Sequence, residues 1–263
     1  DILRDLGWQS RLSQRFKHYF HVDESLYKDI QPTVSELRQA VHDRRFGYVA
    51  LLGGPGSGKS TTLTQTFRYA SSVRLVSYYA YVRNDLSTGR GEASSFWQDI
   101  YLAIRQKGIY SPGSMHRSSS EYRQGVSEQL ALLEEDWRNR QVVTILLIDG
   151  LDHIDREQRP TESLISQLPL PEQIPSGVLV VLGSQTLNLQ GLAPSIVAHL
   201  RDPGRTLQMG RLSRADVFSI GDAVATAPAL SHQQKELLYG LTNGYPLATM
   251  YLLSRLKGLA PAD

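Results

Sequence analysis

The sequence predicts an α/β fold, a parallel β-sheet flanked by helices and followed by a small helical part. Three observations predict it. Apolar runs at 48–52, 142–148 and 178–182 read as short strands buried on both faces. Stretches with helical spacing separate these runs. After Gly210 the strand signals stop, and 213–225, 231–241 and 247–256 all carry helical spacing.

The elements follow in order. Residues 1–32 are charged and aromatic and read as a lead-in. Val34, Leu37 and Val41 mark a helix with Arg44 and Arg45 in its last turn and Gly47 ending it. The run 48–52 is the first strand. A glycine-rich stretch follows, then helical spacing over 61–70 through Leu63 and Phe67. Residues 73–82, rich in β-branched residues and tyrosine, predict a second strand. Ser95 and Gln98 suggest a capping box for a helix carrying Phe96, Ile100 and Ile104. Lys107-Gly108 is its stop, and 109–120 reads as an exposed loop. Val126, Leu130, Leu133 and Trp137 mark the next helix, and 142–148 the strongest strand. The run 178–182 is another strand, and 206–209 a short last one. The expected organisation is a lead-in over 1–32, an α/β domain over 33–210 and a small helical domain over 211–263.

Composition narrows the function classes. The chain has 263 residues, 41% hydrophobic and 21% charged, with a net charge of +2. That is ordinary for a globular protein, and its mild basicity points weakly to polyanions. With no cysteine, disulfides, thiolate metal sites and cysteine nucleophiles are excluded. No apolar run reaches membrane-spanning length and no signal peptide is visible. The expectation is a cytoplasmic protein with no membrane partner. The chain opens on Asp1, which suggests a piece of a larger protein.

The chemistry lies in Gly53-Gly54-Pro55-Gly56-Ser57-Gly58-Lys59-Ser60, a full G-x-x-x-x-G-K-[ST] motif between a strand and a helix. Glycines let the backbone curl so that successive N–H groups face phosphate oxygens. The helix that follows presents its unpaired N–H groups to the same anion. Lys59 would reach the β- and γ-phosphates, and the Ser60 hydroxyl would ligate Mg²⁺. Thr61 and Thr62 stand at the first turn, near the α-phosphate. The expected ligands are ATP or ADP with Mg²⁺.

The strand at 142–148 delivers Asp149 at its carboxyl end, beside the P-loop, to hold Mg²⁺. Asp152 follows three residues on, placed to orient the attacking water, with His153 next to it. An Asp-Gly pair is also a favoured plain turn. Ser184 and Gln185 end the strand at 178–182 and would sense the γ-phosphate if that strand neighbours the first.

Asp149-Gly150-Leu151-Asp152 is similar to the extended Walker B motif of NACHT-type STAND NTPases. Asn243-Gly244-Tyr245-Pro246-Leu247-Ala248 resembles the Gly-x-Pro motif of the same class, whose proline caps the nucleotide. The stretch from Gly210 to Asp216 resembles the usual entry into their helical domain. The resemblance covers about residues 28–257 and implies that Pro246 touches nucleotide and that 30–37 touches adenine. It departs at Gly150, where most AAA+ proteins have glutamate, and after Ser184, where many relatives have arginine.

The resemblance implies a slowly hydrolysing ATP/ADP switch with catalytic Lys59, Asp149 and Asp152. Such a switch self-associates on binding ATP and works between flanking effector and sensor domains, as in defence signalling. The alternative is an AAA+-like motor or nucleic-acid loader with fast turnover and an arginine finger among Arg201, Arg205, Arg211 and Arg214. A small-molecule kinase is a third reading, but no acceptor pocket is marked.

Overall fold

The computed structural model describes residues 14–257, except 69, 71–72, 83–84, 86–87, 110–117 and 225–228. Five strands form one sheet: β1 (Gly47–Leu52), β2 (Val73–Tyr79), β3 (Val143–Asp149), β4 (Val178–Ser184) and β5 (Thr206–Gln208). Their order is β2-β3-β4-β1-β5 and every pairing is parallel. Parallel neighbours need crossovers. Helix α1 (Thr33–Arg44) precedes β1. Helix α2 (Lys59–Arg68) joins β1 to β2, α3 (Ala93–Gln106) and α4 (Ser119–Arg140) join β2 to β3, short turns join β3 to β4, and α5 (Pro194–Leu200) joins β4 to β5.

Both faces of the sheet are buried, as continuous apolar strands require. Alternate residues point to opposite faces. Tyr48, Ala50, Leu146 and Val180 join α3, α4 and α5 in one core. Val49, Leu51, Leu147 and Val181 join α1 and α2 in the other.

Three further helices close the described chain: α6 (Arg214–Val224), α7 (His232–Thr242) and α8 (Pro246–Lys257). Their apolar cluster is small: Leu212, Val217, Ile220, Val224, Leu238 and Leu253, joined by Ile30. Ser231 caps α7 through a reciprocal box with Gln234. Asn243 ends α7 in the left-handed conformation. Among the described residues no helix is long and apolar enough to cross a membrane.

Local expectations needed correction. The Ser95–Gln98 capping box does not form: α3 starts at Ala93, Glu92 precedes it without a side-chain cap, and Ser95 is fully buried. A cap must stand just before the helix with non-helical backbone, and Ser95 is already the third helical residue. The real box is Ser118 with Glu121, which opens α4 well before Val126. Most of the loop expected at 109–120 lies outside the described residues. Arg45, not Gly47, ends α1 in the left-handed conformation, and Gly47 begins β1. The second strand stops at Tyr79 rather than residue 82. The helix α5 and a π-turn at Ile154–Gln158 had no signal read in the sequence.

Candidate functional site

The motif sits where β1 gives way to α2. Gly56 and Gly58 have φ of +75° and +92°, values that side chains resist. A Cβ on Gly56 would also lie 2.5 Å from Leu247 of α8. The loop is pinned at its root, where the Gly53 N–H donates to the Ser184 carbonyl at 3.2 Å. Lys59 opens α2 and folds back, its ammonium donating to the carbonyls of Gly53 (2.6 Å) and Gly54 (3.3 Å). Burial pulls its pKa down, while Asp149 and Asp152 oppose that.

The order of strands corrects the expected geometry of the acid. β3 is not the neighbour of β1, because β4 lies between them. Asp149 still reaches the loop, because Gly183 of β4 has no side chain: a Cβ there would collide with Asp149 Oδ1. Asp149 is 2% exposed, and its Oδ1 has no hydrogen-bond partner. Burial pushes its carboxyl above the usual range, and the Ser60 hydroxyl and the Lys59 ammonium pull it back. The condition set for Ser184 is met, since β4 pairs with β1 and Ser184 stands opposite Leu52. Ser184 is fully buried with its hydroxyl unpartnered, and the same holds for the hydroxyl of Ser57 in the loop. Three buried oxygens without partners around one loop fit a polar ligand and a cation.

Asp152 lies just beyond the strand end and accepts a hydrogen bond from the Gln185 amide. Gln185 therefore serves the acid directly. His153 Nε2 also lies 3.6 Å from the Asp152 carboxylate. Its ring stacks on Tyr81 at 3.8 Å and its Nδ1 meets Glu157 at 2.8 Å. Gly150 has a φ of +82°, and a Cβ there would sit 3.0 Å from the Tyr81 backbone nitrogen. A glutamate at that position would be strained and crowded.

The helix α8 covers the loop. The Leu247 N–H donates to the Gly56 carbonyl at 3.1 Å, and the Tyr245 hydroxyl to the Pro55 carbonyl at 2.5 Å. Pro246 lies 3.5 Å from where a Gly58 Cβ would stand. Beside them opens a cavity of about 240 Å³ lined by Gly58, Thr61, Thr62, Pro246 and Met250. The rest of its wall comes from the lead-in, including Phe20, Val22, Leu26, Tyr27 and Ile30, and from Leu212 and Ile220. Of the stretch 30–37, Ile30 lines the cavity, but Leu37 packs into the core under the sheet. Larger hollows of about 510 Å³ lie between α1 and the end of α2, away from the loop.

The arginine candidates separate. Arg205 is 6% exposed and spent on the carbonyls of Phe46 and Tyr48. Arg214 pairs with Glu236. Arg211 donates to the Asn243 carbonyl at 3.2 Å. Arg201 is exposed just after α5.

No family model matches this chain, and no curated protein does. Solved structures do. The Orc1 protein of Aeropyrum pernix, in complex with DNA, superposes with a TM-score of 0.54 at 16% identity, over 88% of this chain and 61% of its own. The Orc2 protein of the same organism, in ADPNP–ADP complexes, gives 0.53 at 14% identity, over 90% and 64%. A STAND protein with a tetratricopeptide repeat sensor from Pyrococcus horikoshii gives 0.40 at 14% identity, over 93% and 32%, a score that carries no argument. The chain spans less than two thirds of the length of either Orc protein. At these identities the likeness speaks to fold alone: a parallel five-stranded sheet flanked by helices.

Proposed function

We propose that the chain binds ATP and ADP with Mg²⁺ and acts as a slowly hydrolysing switch closed by its helical lid, residues 211–263. The observation that carries this reading is the docking of α8 on the loop, through Leu247 to Gly56 and Tyr245 to Pro55. A lid bonded to the phosphate cradle feels what the cradle holds, which is the differential binding a switch needs.

The loop from Gly53 to Ser60 would wrap the phosphates with its backbone N–H groups. Lys59 would leave the Gly53 and Gly54 carbonyls for the phosphate oxygens. Ser60 and Asp149 fit a magnesium ion, which supplies charge neutralisation at the phosphates when bound. Asp152, held by Gln185, orients the attacking water and accepts its proton. Ser184 donates to the γ-phosphate. The cavity beside Thr61 and Pro246 takes the base. At about 240 Å³ it is smaller than the roughly 300 Å³ and upward of whole-ligand pockets, which suits a base whose phosphates lie outside on the loop. Slow turnover is expected because Gly150 excludes the glutamate of fast AAA+ motors.

The STAND class is the finer reading, supported by Asp149-Gly150-Leu151-Asp152 and Gly244-Tyr245-Pro246. In it, ATP loosens the lid, copies self-associate, and effector and sensor domains of a longer protein respond, in defence or other signalling in the cytoplasm. The second reading is an AAA+ nucleic-acid loader, drawing on the Orc1 protein solved with DNA and on the exposed Arg201.

Turnover decides between them. Steady-state phosphate release well below one per minute, unmoved by DNA, is the switch. Rapid release stimulated by duplex DNA is the loader, and it contradicts the switch.

A further inference from the structure

One buried acid gathers several contacts of the segment 14–30. Asp99 of α3 is 1% exposed. It accepts hydrogen bonds from the backbone N–H of Arg15 (2.5 Å) and Phe16 (3.0 Å), and it meets His18 Nε2 at 2.8 Å. The other ring nitrogen of His18, Nδ1, accepts from the Tyr79 N–H at 3.0 Å. A backbone N–H can only donate, so the ring is neutral with its proton on Nε2. Tyr79 ends β2, the edge strand, whose outward backbone groups need partners. His18 takes its N–H, and Arg90 donates to its carbonyl at 3.2 Å.

Tyr79 continues the chain of contacts. Its hydroxyl meets Thr64 Oγ1 at 2.7 Å, and Thr64 donates to the Ser60 carbonyl at 2.6 Å. Tyr79 stands opposite Asp149 in register, and the next N–H, of Ala80, donates to the Asp149 carbonyl at 2.9 Å. Two residues beyond His18, Phe20 stacks on Tyr79 and begins the cavity wall.

We propose that His18 and Asp99 are positioning residues for the nucleotide site: together they clasp the lead-in wall of the base cavity to β2 and, through Tyr79, steady Ser60 and Asp149. The proposal rests on the P-loop reading above. It also makes the site sensitive to acid. A second proton on His18 would face the Tyr79 N–H, donor against donor. The groups around the ring are Asp99 from α3, Arg90 before it, and Tyr78 in β2, whose ring lies 4.2 Å away. Burial, helped by Arg90, holds His18 below its ordinary 6.5 against the pull of Asp99. Docking of the lead-in is thus constant above about pH 6.5 and weakens as pH falls below it.

The test is the release rate of mant-ATP with Mg²⁺, chased by excess ATP, from pH 7.5 to 5.5. Wild type should release faster at the acid end, by up to about tenfold, the ceiling that one pH unit below the ordinary imidazole value sets. His18→Gln, whose amide accepts and donates across a similar span without titrating, should flatten that rise. His18→Ala should release about tenfold faster already at pH 7.5. If His18→Gln keeps the wild-type rise, and His18→Ala the wild-type rate at pH 7.5, the proposal is overturned. If wild type binds no mant-ATP, the P-loop reading has failed, and the clasp is judged by trypsin at pH 8. Cleavage at exposed Lys17 should then be about tenfold faster in His18→Ala and slower again in His18→Gln. Equal cleavage rates with unchanged melting would overturn the clasp on its own.

Discussion

The sheet and its three closing helices are held together on different terms. In the sheet, Tyr48, Val49, Ala50, Leu51, Ile145, Leu147 and Val180 are wholly buried. Alternately along the strands, they pack on helices from distant parts of the chain on one face of the sheet or the other. The closing helices share one thin cluster and leave Leu237 and Leu241 62% and 68% exposed. They reach the rest through few polar contacts, among them Gly210 N–H to Thr33 (2.9 Å) and the two bonds of α8 to the phosphate loop. The difference teaches a division of labour. The sheet fixes where Lys59, Asp149, Asp152 and Ser184 stand, and the closing helices lie over the loop on a smaller apolar cluster; in the proposed switch they are the part that moves. Elements that move are drawn from the less stable part of a structure.

The largest expected effect is on the sheet side. Lys59→Ala should lower mant-ATP affinity by about 100-fold, the worth of a charge-assisted hydrogen bond or more, with the melting temperature held. Among the described residues the Lys59 ammonium donates to the Gly53 and Gly54 carbonyls, so a collapse of the fold would break the division.

Gly150→Glu comes next. It should cost about 2–4 kcal/mol of stability, from the left-handed backbone and the crowding against Tyr81. Denaturant unfolding measures it. A stable, fast-hydrolysing variant would contradict the account of slow turnover.

Asp152→Asn should keep nucleotide affinity and slow phosphate release by about 100-fold. Unchanged release would transfer the role to another group, with His153 tested next.

The smallest effect belongs to the lid. Tyr245→Phe removes one neutral hydrogen bond, about 1 kcal/mol, so ADP should leave about fivefold faster with little change in melting. Pro246→Ala should act in the same direction. If either lowers melting as much as Gly150→Glu does, the lid is part of the rigid core and the comparison falls.

Much of the sheet was legible because its information is local. Glycines at positive φ, an apolar strand before them and a lysine-serine pair after them leave little freedom, and the loop stands where they put it. The strand into Asp149 was legible for the same reason. The position of β4 between β1 and β3 was not, because strand order is set by crossovers and not by the strands themselves. The role of Gly183 therefore appears only in three dimensions, as room for Asp149. The lead-in was opaque too. Its partners Asp99 and Tyr79 lie 81 and 61 residues from His18, and no periodicity encodes such contacts. Arg205 looked like a free cation because sequence shows charge and not the carbonyls that use it. The start of α4 could have been read, since Ser118 and Glu121 carry the S-x-x-E spacing.

The most direct test of the central claim is to denature the purified protein and identify any nucleotide it releases by chromatography. The account predicts ADP at near one per chain, retained under the closed lid. Protein that releases none, and that then fails to bind added ATP or ADP with Mg²⁺, would contradict it.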